Sequence, residues 1–322
     1  MNNTNLTDLY IEYENFDNGR STHRNRDRWR SKPKQDERAD ERQQQVLAMD
    51  DGITTWIPTY AKGLDPLHHE RQWVINAVAH FYQENIITDV TRRVKGGKEA
   101  NVYACVAHPA SGLDWIAAKL YRERMLRNLK NDAVYKVGRL IRDREGKQVR
   151  GRRERQAIIN KSGYGQKIDF MMWVGTEFRV QTLLYEAGAD VPKPVTQHGS
   201  SILMEFIGDE YGAAPALNET SLARDEAQPL FQRVMDNVKI MLDHHLIHGD
   251  LSAYNILYWD GDIWLIDFPQ AVDPRANPHA FAILERDITR VSEYFARFGV
   301  DSNPKQLAWD LWQLYSQKEG IE

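Results

Sequence analysis

The segment most suggestive of a catalytic role is His248-Gly249-Asp250-Leu251-Ser252-Ala253-Tyr254-Asn255, with Ile266-Asp267-Phe268 following closely. Phosphoryl transfer from a nucleoside triphosphate needs parts of this kind. One carboxylate accepts or orients the proton of the acceptor hydroxyl, while a second carboxylate and an amide oxygen hold Mg²⁺ against the phosphates. Asp250 and Asn255 lie five residues apart on one loop, and Asp267 lies on the adjoining hairpin. A lone His-Gly-Asp is weak, because structural aspartate caps are common; the combined H-x-D-L-x-x-x-N and D-F pattern is specific. Upstream, Gly96-Gly97-Lys98-Glu99-Ala100-Asn101-Val102-Tyr103 joins two apolar runs. Backbone amides of such a glycine turn can cap phosphates, although Gly-Gly alone also serves as a plain hairpin turn. Lys119 interrupts the apolar run Ile116–Leu120. A lysine there costs free energy unless it is paired or sits on a solvent face. A strand lysine of this type pairs with α- and β-phosphates and with a helix glutamate, and Glu177 is the best-placed partner. The order glycine turn, lysine, helix acid, apolar strand, H-x-D…N, D is what makes the set convincing.

These residues need strands in the first half of the chain and helices in the second. The 322 residues, 42% hydrophobic and 27% charged, have the balance of a globular protein of one large domain or two small ones. Asp65-Pro66 is expected to open a helix carrying Trp73, Val74, Ala77, Val78, Phe81 and Tyr82 on its buried side. Strands are expected over 86–94, 101–107 and 114–121, then a helix from Phe170 to Ala187 stopped by Gly188. A short strand at 201–206 and a helix from Glu226 to His245 follow. NILYW and IWLIDF form a hairpin turning at Asp260-Gly261-Asp262, and helices over 279–298 and 304–316 complete the chain.

Charge is distributed unevenly. From Lys119 to Lys167 there are 16 Lys/Arg and five acids, a net +11 inside a chain of net -4. The stretch 122–167 reads as a basic insertion, either simply solvated or in contact with RNA phosphates or an acidic partner. Residues 1–55 read as a disordered, mixed-charge arm, with the globular body over 56–322. The first residues lack a signal-peptide pattern and no apolar run matches a membrane span, so no membrane partner and a cytoplasmic location are expected. The single cysteine, Cys105, excludes an intramolecular disulfide. His244, His245 and His248 crowd one turn, but His248 reads better as a loop-structuring hydrogen-bonder than as a zinc ligand. His68-His69 reads as a solvated first helical turn.

The chain resembles the RIO-type atypical serine/threonine protein kinases. The resemblance spans roughly 66–316 and rests on GKEANVY (97–103), LMEFIG (203–208), HGDLSAYNIL (248–257), LIDFPQAV (265–272) and NPHAFAILERDITRVSEYF (277–295). It implies an α+β, bilobal protein-kinase-like fold, with an antiparallel-sheet N-lobe over about 56–206, a reduced helical C-lobe over about 207–322, and 122–167 as a flexible loop. It implies ATP and Mg²⁺ as cofactors, with Mn²⁺ as a substitute. By the same resemblance Gly97 and Lys98 belong to the phosphate-capping turn, Lys119 binds the phosphates and Glu177 braces it. Asp250 is then the catalytic aspartate, while Asn255 and Asp267 hold the metal. Glu205 and Ile207 offer backbone hydrogen bonds to adenine, Met204 lies behind the base, and Val102, Ala117 and Leu257 sandwich it. Ser252 stands where ordinary kinases carry a lysine, which implies weak turnover. Two other readings remain: a small-molecule phosphotransferase of the aminoglycoside- or choline-kinase type, and an ATPase-switch assembly factor for ribonucleoprotein particles working through a phospho-Asp267. The protein substrate is unknown. A ribosomal particle or RNA is the expected contact of 122–167, and Ser162 is the expected autophosphorylation site.

Overall fold

Residues that alternate between two apolar environments dictate the first half of the fold. In the computed structural model, which describes residues 56–122 and 163–320 and only the backbone of 163–169, three strands form consecutively. They are β1 (Ile87–Gly96), β2 (Ala100–Ala107) and β3 (Trp115–Tyr121). β4 (Pro194–His198) and β5 (Ser201–Glu205) complete an antiparallel sheet in the order β1-β2-β3-β5-β4. The charged arm, the basic insertion from 123 to 162 and Ser162 lie outside the described residues. β4 is absent from the sequence expectation because Pro192 and Pro194 speak against a strand. It is tolerated because β4 is an edge strand, where a missing N–H costs no ladder bond.

The sheet is covered on both faces. Val90, Tyr103, Cys105, Ile116, Ala118, Leu120 and Leu203 pack with Val74, Val78 and Phe81 of α2 (His69–Gln83). The opposite parity, Val102, Ala104, Ala117, Tyr121, Ile202 and Met204, packs with Phe170, Trp173 and Val174 of α3 (Gly163–Glu186). Because β-strand side chains alternate between faces, Lys119, two residues from both Ala117 and Tyr121, belongs to the α3 face. α1 is a single turn, Thr59–Lys62. α2 does not open at Asp65-Pro66. Asp65 Oδ1 instead accepts the Leu67 N–H at 2.8 Å in a self-closed turn, and His68 caps the helix by accepting the Glu70 N–H at 3.3 Å. α3 begins upstream of the expected Phe170 and ends before Gly188, whose φ is 81°.

The second half is helical around one inserted hairpin. α4 (Arg224–Asp243), α5 (Ala280–Ala296) and α6 (Pro304–Glu319) enclose a core that includes Leu184, Val234, Met241, Ile288 and Phe295. β6 (Ile256–Trp259) and β7 (Asp262–Leu265) pair antiparallel across Asp260 and Gly261, both with positive φ, as a two-residue hairpin turn requires. The described residues from Trp56 onward form one compact unit. No helix among the described residues is long and apolar enough to cross a membrane.

Candidate active site

The β1–β2 hairpin places the glycine turn. Gly96 pairs with Asn101 as the last rung, and the Gly97 N–H donates to the Ala100 carbonyl at 2.9 Å. A Cβ on Gly97 would lie 2.8 Å from that oxygen, so the tight turn selects glycine. Lys98 at the tip is exposed. The base of the turn is anchored by a buried carboxylate that the sequence reading missed. Glu70 Oε1 accepts from Tyr103 Oη at 2.6 Å, Tyr60 Oη at 3.0 Å, Arg93 Nη1 at 3.2 Å and Asn101 Nδ2 at 3.3 Å. The only sequence signal was an acid at helical spacing with Val74 and Val78, on the apolar side of a short amphipathic helix.

Strand register then sets Lys119. Val102 pairs with Lys119 across β2–β3, and Ala117 pairs with Met204 across β3–β5, so Val102, Ala117 and Met204 form an apolar surface on the same face as the lysine. Lys119 Nζ donates to Glu177 Oε1 and to Asp267 Oδ1, each at 2.6 Å. The pairing that an isolated strand lysine demanded is thus met twice. Glu177 is 1% exposed. Burial pushes its carboxyl up to about 7, with Lys119 pulling it down and Asp267 pushing it up. Burial also opposes ionisation of Asp267, but the Lys119 charge and hydrogen bond hold its carboxyl below the usual range. One ammonium faces two carboxylates, and the more deeply buried one carries the cost.

On the helical side, Asp250, Asn255 and Asp267 converge through backbone and histidine contacts. Asn255 Nδ2 donates to the Asp250 carbonyl at 2.9 Å, which leaves its Oδ1 as the acceptor end. The Ile266 N–H donates to the Asn255 carbonyl at 3.0 Å, tying the two loops. His248, buried, accepts the Asp250 N–H at Nδ1, 3.3 Å, which sets the tautomer, and its Nε2 lies 3.1 Å from the Ile266 carbonyl. It is a loop brace, and among the described residues no group of three His, Cys, Asp or Glu side chains could hold a metal ion. Asp267 has φ 73°, in the left-handed region, and its side chain is 43% exposed. α5, whose segment supports the resemblance without implying a role for its charged residues, grips the Asp250 loop. Asp287 Oδ2 accepts the Gly249 N–H at 2.8 Å, Arg286 donates to the Gly249 carbonyl, and Arg290 Nη1 donates to Asp250 Oδ1 at 2.9 Å.

The expected base-binding segment is divided. The Glu205 N–H donates to the Lys193 carbonyl at 2.8 Å and the Ile207 carbonyl accepts from Ala214 N–H at 2.9 Å, so those two groups serve the fold. Leu257 is half-buried on β6 and bridges Ala216 in backbone pairing.

Known proteins are similar to this chain in sequence and in fold. The chain is 32% identical over 246 residues to the serine/threonine-protein kinase RIO1 of Chaetomium thermophilum, covering 73% of this chain and 44% of that protein. It is 33% identical over 136 residues to the RIO-type serine/threonine-protein kinase Rio1 of Thermoplasma acidophilum, covering 42% of this chain and 70% of that one. It spans less than half the length of the eukaryotic RIO1 proteins it matches. Among solved structures, the Rio2 kinase of Chaetomium thermophilum in its ADP/Mg²⁺-phosphoaspartate complex is similar with a TM-score of 0.53 at 21% identity, over 78% of this chain and 72% of that one. The shared fold is the bilobal kinase-like α+β arrangement of an antiparallel sheet and a helical half. A family model for the RIO domain matches residues 101–307, from the asparagine at the base of the glycine turn into α6. The match encloses Lys119, Glu177, Asp250, Asn255 and Asp267 together, and the chain therefore belongs to the RIO domain family.

Proposed function

We propose that this protein is an ATP- and Mg²⁺-dependent serine/threonine protein kinase of RIO type. The observation that carries the reading is the meeting of Lys119, Glu177 and Asp267 within hydrogen-bond distance, although 58 and 148 residues separate the lysine from its partners. The donor set fits its proposed ligands. Asp267 and the Asn255 Oδ1 are hard oxygen donors suited to Mg²⁺, which keeps phosphate oxygens and waters as its other ligands. When bound, Mg²⁺ neutralises phosphate charge. The turn at Gly97 and Lys98 caps the phosphates. Lys119 keeps Glu177 and turns its second contact from Asp267 to the phosphates. Adenine lies against Val102, Ala117, Met204 and Leu257, bonded to the Glu205 carbonyl and the Ile207 N–H. Asp250 takes the acceptor proton. The hydroxyl oxygen bonds to the γ-phosphorus, the bond to the β,γ-bridging oxygen breaks, and its electron pair leaves on ADP.

A second route uses the same site. An Asp267 carboxylate oxygen attacks the γ-phosphorus, ADP leaves, and water with Asp250 as base then releases phosphate and restores Asp267. The solved phosphoaspartate complex of the Rio2 relative and the strained, accessible Asp267 favour it. The basic segment 122–167 would dock a ribosomal particle or RNA, supported by its net charge. A cytoplasmic location is supported by one fully buried cysteine and no disulfide. A lobe boundary near 206 is supported by the end of β5 at Glu205.

The test follows labelled γ-phosphate from Mg·ATP. A stable ester on a protein hydroxyl supports the kinase, and a hydroxylamine-labile label on Asp267 supports the switch. Label only on a small alcohol would replace both with a small-molecule phosphotransferase. Asp267→Ala should abolish Mg²⁺-dependent nucleotide binding, while Asp250→Ala should keep binding and lower transfer by about 10²-fold. The reverse outcome would exchange the two roles.

A further inference from the structure

The loop His248–Asn255 contains neither lysine nor arginine. Lys119 is held by Glu177 and Asp267. The cation that meets Asp250 comes instead from α5. Asp287 and Arg286 hold the Gly249 N–H and carbonyl, and one turn further on Arg290 reaches the Asp250 carboxylate at 2.9 Å. The helix itself is rigid, with Ile283, Leu284, Ile288, Val291 and Phe295 buried in the large core. The pair it presents is not buried. Arg290 is 42% exposed and Asp250 52% exposed. An open pair of this kind adds little to folding, so its value lies elsewhere.

We propose that Arg290 is a further catalytic residue, whose guanidinium spans the Asp250 carboxylate and the equatorial oxygens of the phosphoryl group in flight. The inference rests on the kinase reading of Asp250 given above. As the acceptor oxygen bonds to the γ-phosphorus and the bond to the ADP oxygen breaks, negative charge spreads over the three equatorial oxygens. A loop with Ser252 two residues after Asp250 has no cationic side chain to meet it. Guanidinium has five N–H donors in a planar fork, so one can stay on Asp250 while another turns to the phosphoryl oxygen. The Asp250 contact pre-orients the fork, and the exposure of both groups leaves room for an acceptor.

The experiment compares full-length parent, Arg290→Ala, Arg290→Lys and the double variant Arg290→Ala/Ser252→Lys. It measures Mg·ATP turnover, affinity for Mg·ADP, and affinity for Mg·ADP with aluminium fluoride, which mimics the phosphoryl group in transfer. Arg290→Ala should lower kcat by about 10²-fold and leave KM for ATP within about twofold. Its affinity for Mg·ADP and its unfolding midpoint should be unchanged, while the extra affinity conferred by aluminium fluoride falls in step with kcat. Arg290→Lys should lose less, and Ser252→Lys should restore about tenfold of the Arg290→Ala loss, because it returns a cation from the other side. Turnover of Arg290→Ala equal to the parent's overturns the inference. A rise in turnover also overturns it and makes the pair an inhibitory latch, and an equal loss of Mg·ADP affinity reduces Arg290 to a structural role. A parent without Mg²⁺-dependent turnover, or an Asp267→Ala variant as active as the parent, refutes the kinase reading and the inference with it.

Discussion

Replacing Glu177 by glutamine isolates what the buried carboxylate costs and what it does. The group is 1% exposed, and burial, reinforced by Asp267 and opposed by Lys119, moves its carboxyl from 4.5 to about 7. Each unit is about 1.4 kcal/mol, so ionised Glu177 weighs against the folded state by on the order of 3 kcal/mol relative to its protonated form. A carboxyl raised in the fold contributes its stabilisation fully below the unfolded value, and that contribution is lost as pH rises through the folded value. The parent should therefore lose stability from about pH 4.5 to about pH 7, and Glu177→Gln, which mimics the protonated form, should not. Urea unfolding at a series of pH values should show the two proteins alike at the acid end. Above pH 7 the variant should be ahead by up to about 3 kcal/mol. Turnover should move the other way. The amide no longer shares the Lys119 charge, the ammonium settles on Asp267, and the metal ligand is neutralised. A stability difference independent of pH, or a variant less stable than the parent at pH 8, would refute this account of the triad.

Gly97→Ala should weaken Mg·ATP binding by about tenfold in calorimetric titration, since its Cβ would sit 2.8 Å from the Ala100 carbonyl and must open the turn. Phe295→Ala, at a fully buried ring 5.5 Å from Phe231, should cost about 3–5 kcal/mol in denaturant unfolding with an unchanged m-value. Glu70→Gln should flatten the acid limb of stability. Burial raises the Glu70 carboxyl, but hydrogen bonds from Tyr103 and Tyr60 and the Arg93 charge bring it below its ordinary 4.5. The stabilisation it provides is thus present above that value and lost as pH falls, and a parent with no steeper acid limit than the variant would count against the anchor.

How much was legible in the chain differs by element. Strands β1 to β3 and β5 and the long helices were readable because their apolar periods are long and punctuated by Gly96-Gly97, Gly188 and Asp260-Gly261. β4 was not, because Pro192 just before it and Pro194 at its first position are acceptable only at an edge, and being an edge is a property of the sheet order. The start of α2 was misplaced because Asp65 caps equally well a turn or a helix, and the choice depends on how the following residues pack.

The order of residue types specified the parts of the site: a glycine turn, a lysine in an apolar strand that needed a partner or a solvent face, and the H-x-D…N and D-F spacing of two carboxylates and an amide. Those are local demands of residue type, and they hold wherever the segments end up. Which charges meet was set by strand register and packing. The parity of β3 turned Lys119 toward α3, the register with β2 set Val102 beside it, and the hairpin β6–β7 brought Asp267 to its second hydrogen bond. Only packing could place Glu70 under Asn101 and Arg290 on Asp250, 31 and 40 residues away in the chain. Neither pair follows a local period: Glu70 sits on the buried side of α2, where Tyr103 and Asn101 of β2 bond to it, and Arg290 meets the Asp250 loop because α5 buried its apolar side.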